Sequence, residues 1–271
     1  MTLSDTQQER YRRHLVIPDL GPEGQEKVRA ASVLVVGAGG LGSPALLYLA
    51  GAGVGRLGVV DGDVVELSNL HRQILHSTAD LGRPKTTSAA ETLRALNPEV
   101  EVVEHALRFD AEAASELVSS YDVIVTAVDN LPTRFLLNDT CVLLGKTLVE
   151  ASILHFVGMA MTIKGGESAC YRCVFPLEPA PVDVPTGAQA GVFGPVPGVI
   201  GAIQAIEVLK VIVGFGRPLY DRLLTFDAAA LEFNEVELAR DPTCPVCGEH
   251  PSILHPGDVP AVGRIDERPA R

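Results

Sequence analysis

The feature that most constrains the fold is a regular alternation of short apolar runs and helical segments between residues 31 and 151. The first run, "ASVLVVG", is rich in β-branched residues and stops at a glycine, and "LGSPALLYLAGAGVG" then continues with helical spacing. Further strands are predicted for "RLGVVD", "EVEVVEHAL", "YDVIVTAVD" and "TLVEAS", with helices between them. This alternation predicts an α/β fold with a doubly wound, mostly parallel, Rossmann-like sheet.

The glycine-rich turn after the first strand predicts a nucleotide site. "VLVVGAGGLG" places four glycines, Gly37, Gly39, Gly40 and Gly42, between a strand and a helix. Glycines allow a tight turn and a close approach of the backbone to phosphates, which the N-terminus of the helix attracts. Asp61 ends the second strand, where its carboxylate can accept hydrogen bonds from ribose hydroxyls. The alternative is a purely structural turn.

Three polar residues and one acid favour a triphosphate over a dinucleotide. Arg72 and Lys85 follow the second strand, in the crevice where doubly wound folds bind ligands, and Asn69 adds a neutral donor. Asp129 ends the fourth strand, where a carboxylate can hold Mg²⁺. The alternative reading places the two cations on a solvated face and makes Asp129 a cap of the next helix.

These motifs together resemble the MoeB/ThiF family, the bacterial relatives of ubiquitin-activating enzymes. The resemblance rests on "VLVVGAGGLGS", "VDGDVVELSNLHRQ", "LGRPK" and "TAVDN", and it extends from about Arg10 to Gly248. It implies an adenylyltransferase that uses Mg-ATP to adenylate the C-terminal glycine of a ubiquitin-like sulfur carrier ending in Gly-Gly, releasing pyrophosphate. Molybdopterin, thiamin and tRNA-thiolation pathways all remain open.

The resemblance also implies residue roles. Gly40 would form part of the phosphate loop, and Asp61 would bind the ribose. The phosphates would be bound by Asn69, Arg72 and Lys85. Asp129 would bind the metal, with Asn130 beside it in the same motif. Arg13, in "RYRRHL", matches an arginine that reaches into the ATP site of a partner, which implies a catalytic homodimer. From the residues alone, Arg13 belongs to a solvated helical face. Arg134 and Asn138 also match, as residues that pin a helix to the sheet.

Four cysteines predict a structural zinc site. Cys170 and Cys173 form one Cys-x-x-Cys pair, and Cys244 and Cys247 form another. Four thiolates complete a tetrahedral Zn²⁺ shell and leave no position for substrate. A redox pair is the alternative for either Cys-x-x-Cys.

The fifth cysteine, Cys141, lies on an apolar helix and is interpreted as a buried hydrophobic residue. Some family members carry a further cysteine at the position of Gly187; its absence here implies that the chain stops at the acyl-adenylate and relies on a separate sulfurtransferase.

The predicted organisation has four regions: a helical arm (1–30), a nucleotide-binding α/β core (31–151), a partner-binding region with a crossing segment, long helix, hairpin and zinc site (152–248), and a disordered tail (249–271). Pro176 to Ala190 is expected to be an exposed crossing segment. A β extension is predicted C-terminal to the core, and cysteines 170, 173, 244 and 247 would clamp the end of the chain.

Charge and composition exclude some classes of function. A net charge of −12 and a pI of about 5.0 argue against non-specific binding of nucleic acid or of anionic membranes. The most apolar segment carries Gln204, Glu207 and Lys210, which predicts a buried helix and not a membrane span. A cytoplasmic protein is expected. Two other functions stay open: an NAD-dependent oxidoreductase and a non-catalytic, nucleotide-binding scaffold.

Overall fold

The computed structural model describes residues 3–176 and 191–258. Eight strands form one sheet in the order β3-β2-β1-β4-β5-β6-β7-β8. The strands are β1 (Ser32–Val36), β2 (Arg56–Val60), β3 (Glu101–His105), β4 (Val123–Thr126), β5 (Thr147–Leu154), β6 (Val157–Lys164), β7 (Arg222–Asp227) and β8 (Glu232–Glu237). The α-helices are α1 (Asp5–Arg10), α2 (Arg12–Leu15), α3 (Gly21–Ala30), α4 (Gly42–Ala52), α5 (Lys85–Leu96), α6 (Ala111–Ser119), α7 (Leu131–Leu143), α8 (Tyr171–Val174) and α9 (Pro195–Val213).

The parallel half of the sheet confirms the predicted fold class. β1 pairs in parallel with β2 on one side and with β4 on the other, with Val33 opposite both Leu57 and Val123. The chain therefore winds outward from β1 first in one direction, to β3, and then in the other, to β5. A crevice opens beyond the carboxyl ends of the strands where this direction reverses, and open α/β sheets bind their ligands there.

The second half of the sheet is antiparallel and forms the predicted C-terminal β extension. β5 and β6 pair over their whole length, from Thr147↔Lys164 to Leu154↔Val157. β7 and β8 then continue the sheet as a hairpin. β8 is the outermost strand, and all six of its residues are exposed.

Helices cover both faces of the sheet, which produces two apolar cores. On one face, Leu46 and Leu49 of α4, Leu93 of α5 and Val208 of α9 are fully buried. On the other face, α6 and α7 pack with the cysteine-bearing segments around Phe135. The near-continuous apolar sequence of the central strands follows from this arrangement, because a strand covered on both sides has no solvated face.

Helix α9 is a core helix with three polar residues, and the side chain of each makes at least one hydrogen bond. Gln204 donates to the carbonyls of Thr126 (2.7 Å) and Val149 (3.2 Å). Glu207 accepts from the Thr162 hydroxyl at 2.6 Å and from the Lys210 ammonium at 2.7 Å. By length and composition alone α9 could cross a membrane, but half of its most apolar stretch is buried in the protein. These buried polar contacts are those of a helix inside a folded protein.

The C-terminal segment differs from its prediction where it is described. Residues 249–258 were expected to belong to a disordered tail, yet Ile253 is 3% exposed and packs in the core beside α6 and α7. The backbone N–H groups of Ser252 and Ile253 both donate to the Pro245 carbonyl at 2.9 Å. Ile253 and this turn tie the segment to the protein despite its polar composition. Residues 177–190, which contain most of the predicted crossing segment, and residues 259–271 lie outside the described residues.

Candidate active site

The glycine turn after β1 is packed too closely for side chains at two positions. A Cβ atom on Gly37, whose φ is +106°, would lie 2.4 Å from the carbonyl oxygen of Ala127. A Cβ on Gly42 would lie 2.0 Å from the carbonyl oxygen of Gly37. The turn therefore rests directly on the end of β4, and α4 begins at its far side. The N-terminus of α4 therefore lies at the glycine turn, and the N-terminus of a helix attracts anions.

The two middle glycines face the segment that follows β2. A Cβ on Gly40 would contact Pro197 at 3.3 Å and the Arg72 Cγ at 3.7 Å, and one on Gly39 would meet Gln73 Nε2 at 3.5 Å. The segment Ser68–Gln73 thus lies against the turn, although it follows it by about thirty residues. The structure brings together two of the sequence motifs that predicted a nucleotide site.

Asp61 braces the glycine turn from the end of β2. Its Oδ2 accepts from the backbone N–H of Ala38 at 2.8 Å, and its Oδ1 accepts from the N–H of Asp63 at 2.9 Å. A carboxylate has about four acceptor positions, so these two bonds fix its orientation and leave capacity for hydroxyl donors. The position fits the predicted ribose acceptor.

Asn69 and Arg72 stand on the turn after β2. Asn69 ends a short 3₁₀ helix (Leu67–Asn69) and is 9% exposed. The Arg72 guanidinium donates to the Ser68 carbonyl at 3.0 Å. This hydrogen bond uses one of its nitrogen atoms, and the guanidinium retains further N–H donors. Arg72 is not on a freely solvated face, since its stem packs near Gly40.

Lys85 opens α5 and is bound to the loop that follows β2. Its ammonium lies 3.1 Å from Asp63 Oδ2, and its backbone N–H donates to the Asp63 carbonyl at 3.0 Å. The Lys85 side chain is 8% exposed, whereas that of Asp63 is 60% exposed. A buried cation whose partner is largely solvated can exchange that partner for another anion at modest cost.

Asp129 and Asn130 follow β4, on the other side of the crevice. Both are exposed. The cap of α7 is Asn130, whose side chain accepts from the Thr133 N–H at 2.9 Å. The alternative in which Asp129 caps the helix is therefore wrong. Behind them, Arg134 donates to the carbonyl of Val128 at 3.0 Å and so fixes the turn that presents Asp129.

Arg13 is on the N-terminal arm and not on the segments that carry the other predicted site residues. It belongs to α2 and is exposed, and its neighbour Arg12 lies 3.9 Å from Glu9. The described chain gives Arg13 the solvated position expected from its sequence alone. Its predicted role in a partner's site remains a prediction.

Sequence reasoning missed two buried side chains in the same region. Gln73 is 4% exposed, lies beside Gly39, and its Oε1 has no hydrogen-bond partner among the described residues. His76 is 7% exposed and hydrogen-bonded to the glycine turn. Gln73 was inside a quoted motif and could have been singled out, since amides suit phosphate oxygens. His76 follows the motif by three positions, and no pattern marks it.

The four predicted cysteines converge. The Sγ atom of Cys170 lies 3.8 Å from the Sγ of Cys173 and 3.6 Å from the Sγ of Cys244. The Sγ atoms of Cys173 and Cys247 are 3.3 Å apart. All four sulfur atoms lie within 4.8 Å of one another. Tetrahedral Zn²⁺ with Zn–S bonds of about 2.3 Å separates its sulfurs by roughly 3.8 Å. The cluster therefore fits zinc, with no further ligand position.

The cysteine cluster is tied to α7 by buried polar contacts. Asn138 accepts from the Tyr171 N–H at 2.8 Å, and Arg172 binds both carboxylate oxygens of Asp139. Asn138 thus pins the first cysteine pair to the helix, while Arg134 joins that helix to β5 through Glu150. Cys141 is fully buried, and burial raises the pKa of its thiol, as expected for a hydrophobic residue.

Comparison with known proteins decides the family. The sequence profile of the ThiF family matches residues 11–246, most of the chain. The chain belongs to the ThiF family. The predicted kinship is confirmed, and with it the enzyme class of a ThiF-type adenylyltransferase.

Curated relatives of this ThiF chain share about half of its residues. It is 50% identical over 249 residues to a sulfur carrier protein adenylyltransferase of Thermus thermophilus, covering 90% of this chain and 92% of that one. It is 48% identical to the SAMP-activating enzyme E1 of Haloferax volcanii, covering 98% and 96%. The mouse adenylyltransferase and sulfurtransferase MOCS3 is 49% identical, but the chain spans only 55% of its length.

Solved structures share the fold at lower identity. Escherichia coli MccB, in a crystal structure with ATP, superposes with a TM-score of 0.77 at 26% identity, covering 90% of this chain and 75% of MccB. Another MccB structure, with succinimide, gives 0.77 at 25% identity. Together with the family, these neighbours support ATP as the nucleotide in preference to NAD.

Proposed function

We propose that this protein activates a ubiquitin-like sulfur carrier by adenylating its C-terminal glycine carboxylate with ATP and releasing pyrophosphate. The observation that carries the proposal is the meeting of three motifs at the carboxyl edge of the sheet. The glycine turn lies against Arg72, is braced by Asp61, and rests on the end of β4, which leads to Asp129. The relatives named for sulfur-carrier adenylation and SAMP activation support the choice of substrate.

The chemistry suits residues that stabilise charge without transferring protons. The carrier's carboxylate attacks the α-phosphorus of ATP, a P–O bond forms to the carboxylate, and the bond to the pyrophosphate leaving group breaks. A carboxylate is ionised near neutral pH and needs no general base. In this reaction Asn69, Arg72 and Lys85 would bind phosphate oxygens, and Asp61 would orient the ribose. Donors already in place lower the barrier by alignment and by stabilising the growing negative charge.

Asp129 would hold Mg²⁺, and the four cysteines would hold Zn²⁺. Asp129 offers an exposed carboxylate at the mouth of the crevice, the hard oxygen ligand that Mg²⁺ prefers. Bound Mg²⁺ would neutralise charge on the phosphates. The zinc site, with four sulfur ligands, would be structural and would join α8 and the residue before it to the C-terminal segment.

The working unit would be a homodimer in the cytoplasm, with a separate sulfurtransferase acting on the acyl-adenylate. Arg13, exposed on α2, would enter the partner's site. A mixed dimer tests this role. A protomer with Arg13→Ala keeps its own site but cannot complete its partner's, and one with Asp129→Ala has an incomplete site but can still supply Arg13. Co-expressed, the two variants should recover activity that each lacks alone, whereas Arg12→Ala should leave activity unchanged.

The decisive experiment is ATP–pyrophosphate exchange with and without a ubiquitin-like carrier ending in Gly-Gly. Exchange should require the carrier and disappear when its last glycine is removed. Asp129→Asn should abolish exchange, and Asp122→Asn, which changes an acid at the opposite end of β4, should not abolish it. No exchange with any carrier from the same organism, despite measurable ATP binding, would refute adenylation and favour a nucleotide-binding scaffold. Binding of NAD in preference to ATP would favour the oxidoreductase.

A further inference from the structure

His76 is a buried histidine that bridges two elements of the nucleotide site. It is 7% exposed and lies in the loop between Arg72 and α5. Its Nε2 lies 2.9 Å from the carbonyl oxygen of Ala38 in the glycine turn. Its Nδ1 lies 2.8 Å from the hydroxyl of Ser88 on α5. A single side chain thus joins the turn after β1 to the helix that begins with Lys85.

The partners of His76 determine which nitrogen carries the proton. A carbonyl oxygen can only accept, so Nε2 must donate to Ala38. The Ser88 hydroxyl can donate to Nδ1, which completes a neutral imidazole with both nitrogens satisfied. Burial lowers the pKa of His76, in keeping with a neutral ring. The ring is therefore fixed in one tautomer and one orientation.

The bond to Ala38 sets the direction of a backbone donor. The carbonyl of Ala38 and the N–H of Gly39 belong to one planar trans peptide and point in opposite directions. Because His76 draws the carbonyl toward the interior, the Gly39 N–H faces away from the imidazole. Asp61 holds the preceding peptide through the Ala38 N–H at 2.8 Å. Two side chains therefore fix both peptide planes at the centre of the glycine turn.

The bond to Ser88 relates the turn to Lys85. Ser88 lies three residues after Lys85, one turn along α5 and on the same helix face. A rigid ring with a short contact at each end sets the spacing between the glycine turn and the start of α5. The proposed function assigns Lys85 to the phosphates, and the glycine turn is the predicted phosphate loop.

We propose that His76 is a positioning residue for nucleotide binding, which aims the Gly39 N–H at a phosphate and holds the turn in register with Lys85. This inference rests on the proposed nucleotide site but not on the identity of the carrier. It concerns ATP affinity and alignment and assigns His76 no proton transfer.

Two substitutions separate the two contacts. His76→Gln can place an amide N–H near the position of Nε2 and so retain the donor to Ala38. His76→Asn is shorter; it can accept from Ser88 but cannot reach Ala38. Ser88→Ala, a third variant, removes the contact to Nδ1, together with the Ser88 hydrogen bond to Asp80, and leaves the donor to Ala38 in place. ATP dissociation constants are measured by calorimetry on zinc-loaded protein, and KM values for ATP and carrier are measured by pyrophosphate exchange.

We expect His76→Asn to weaken ATP binding about tenfold, the effect of losing one hydrogen bond of about 1.4 kcal/mol. His76→Gln should stay within about twofold to threefold of wild type, and the KM for carrier should be unchanged in both. Equal ATP affinity in wild type and His76→Asn would overturn the inference, as would equal losses in the Asn and Gln variants. Wild-type protein that binds ATP but fails to exchange pyrophosphate would contradict the proposed function while leaving this comparison of affinities intact.

Discussion

The buried ion pair between Arg134 of α7 and Glu150 of β5 offers a sharp test of how the site is supported. Their side chains are 6% and 4% exposed and in direct contact. Arg134 also donates to the carbonyls of Ala151 at 3.1 Å and Val128 at 3.0 Å. Arg134→Met would leave the Glu150 carboxylate buried without its cation. Breaking a buried pair in this way costs about 3–5 kcal/mol in the free energy of unfolding.

The size of this loss should depend on pH. Burial raises the pKa of Glu150 above its usual value of 4.5, and Arg134 opposes that rise. Without Arg134 the folded-state pKa rises further, while the unfolded value is unchanged. The folded variant then holds a proton that the unfolded chain releases, so its stability falls as pH rises through the folded pKa. The slope is at most about 1.4 kcal/mol per pH unit, and the loss relative to wild type should be larger at pH 8 than at pH 6.

Urea unfolding at fixed protein and zinc concentrations measures this effect at both pH values. The matched control is the double variant Arg134→Met with Glu150→Leu, which removes both charges and should recover most of the loss, since replaced pairs are often neutral. A loss of the same size at pH 6 and pH 8, together with no recovery in the double variant, would refute the reasoning. Weaker pyrophosphate exchange is also expected, because Arg134 fixes the turn before Asp129.

Three further predictions concern the zinc cluster, the glycine turn and α9. Cys244→Ser should lose bound zinc and lower the melting temperature, whereas Cys141→Ser should retain zinc by elemental analysis. Gly42→Ala should lower the free energy of unfolding by about 1–3 kcal/mol in urea, because its Cβ would lie 2.0 Å from a carbonyl oxygen. Gly51→Ala, in the same helix with open space around it, should instead stabilise by about 0.5–1 kcal/mol. Gln204→Leu should cost about 1–3 kcal/mol in the same assay, since two buried carbonyls lose their donor.

The parts of the fold that the sequence predicts are those dictated by local pattern. Apolar runs covered on both faces read as central strands, and glycines mark the turn after β1 because only a residue without Cβ fits against Ala127. The two Cys-x-x-Cys pairs also predict their site from the sequence, because a zinc site of this kind needs several thiolates at once and each pair supplies two. Each of these features carries its constraint within a few residues of sequence.

The residues that sequence reasoning missed are defined by long-range contacts. His76 acquires its position from Ala38, 38 residues away, and no periodicity marks it. Ile253 is one apolar residue in a polar segment, and only its packing against α6 and α7 reveals that the segment is held. The partner of Arg134 is likewise set by the pairing of helix to strand, because Glu150 lies on a different element. Tertiary contacts of this kind leave little trace in composition.

The two halves of the candidate site are held with different rigidity. The glycine turn is fixed at both of its central peptides by side chains that are at least partly buried, Asp61 and His76. Lys85, by contrast, is paired with Asp63, whose side chain is 60% exposed, so the carboxylate of this ion pair is largely solvated. In the proposed site Lys85 would exchange one anion, Asp63, for another, a phosphate, whereas reorienting the turn would break the hydrogen bonds to Asp61 and His76. In the proposed reaction, a preorganised backbone cradle with an exchangeable cation would suit a substrate whose negative charge shifts from ATP to pyrophosphate, because the donors of the cradle would stay in place while the cation adjusts.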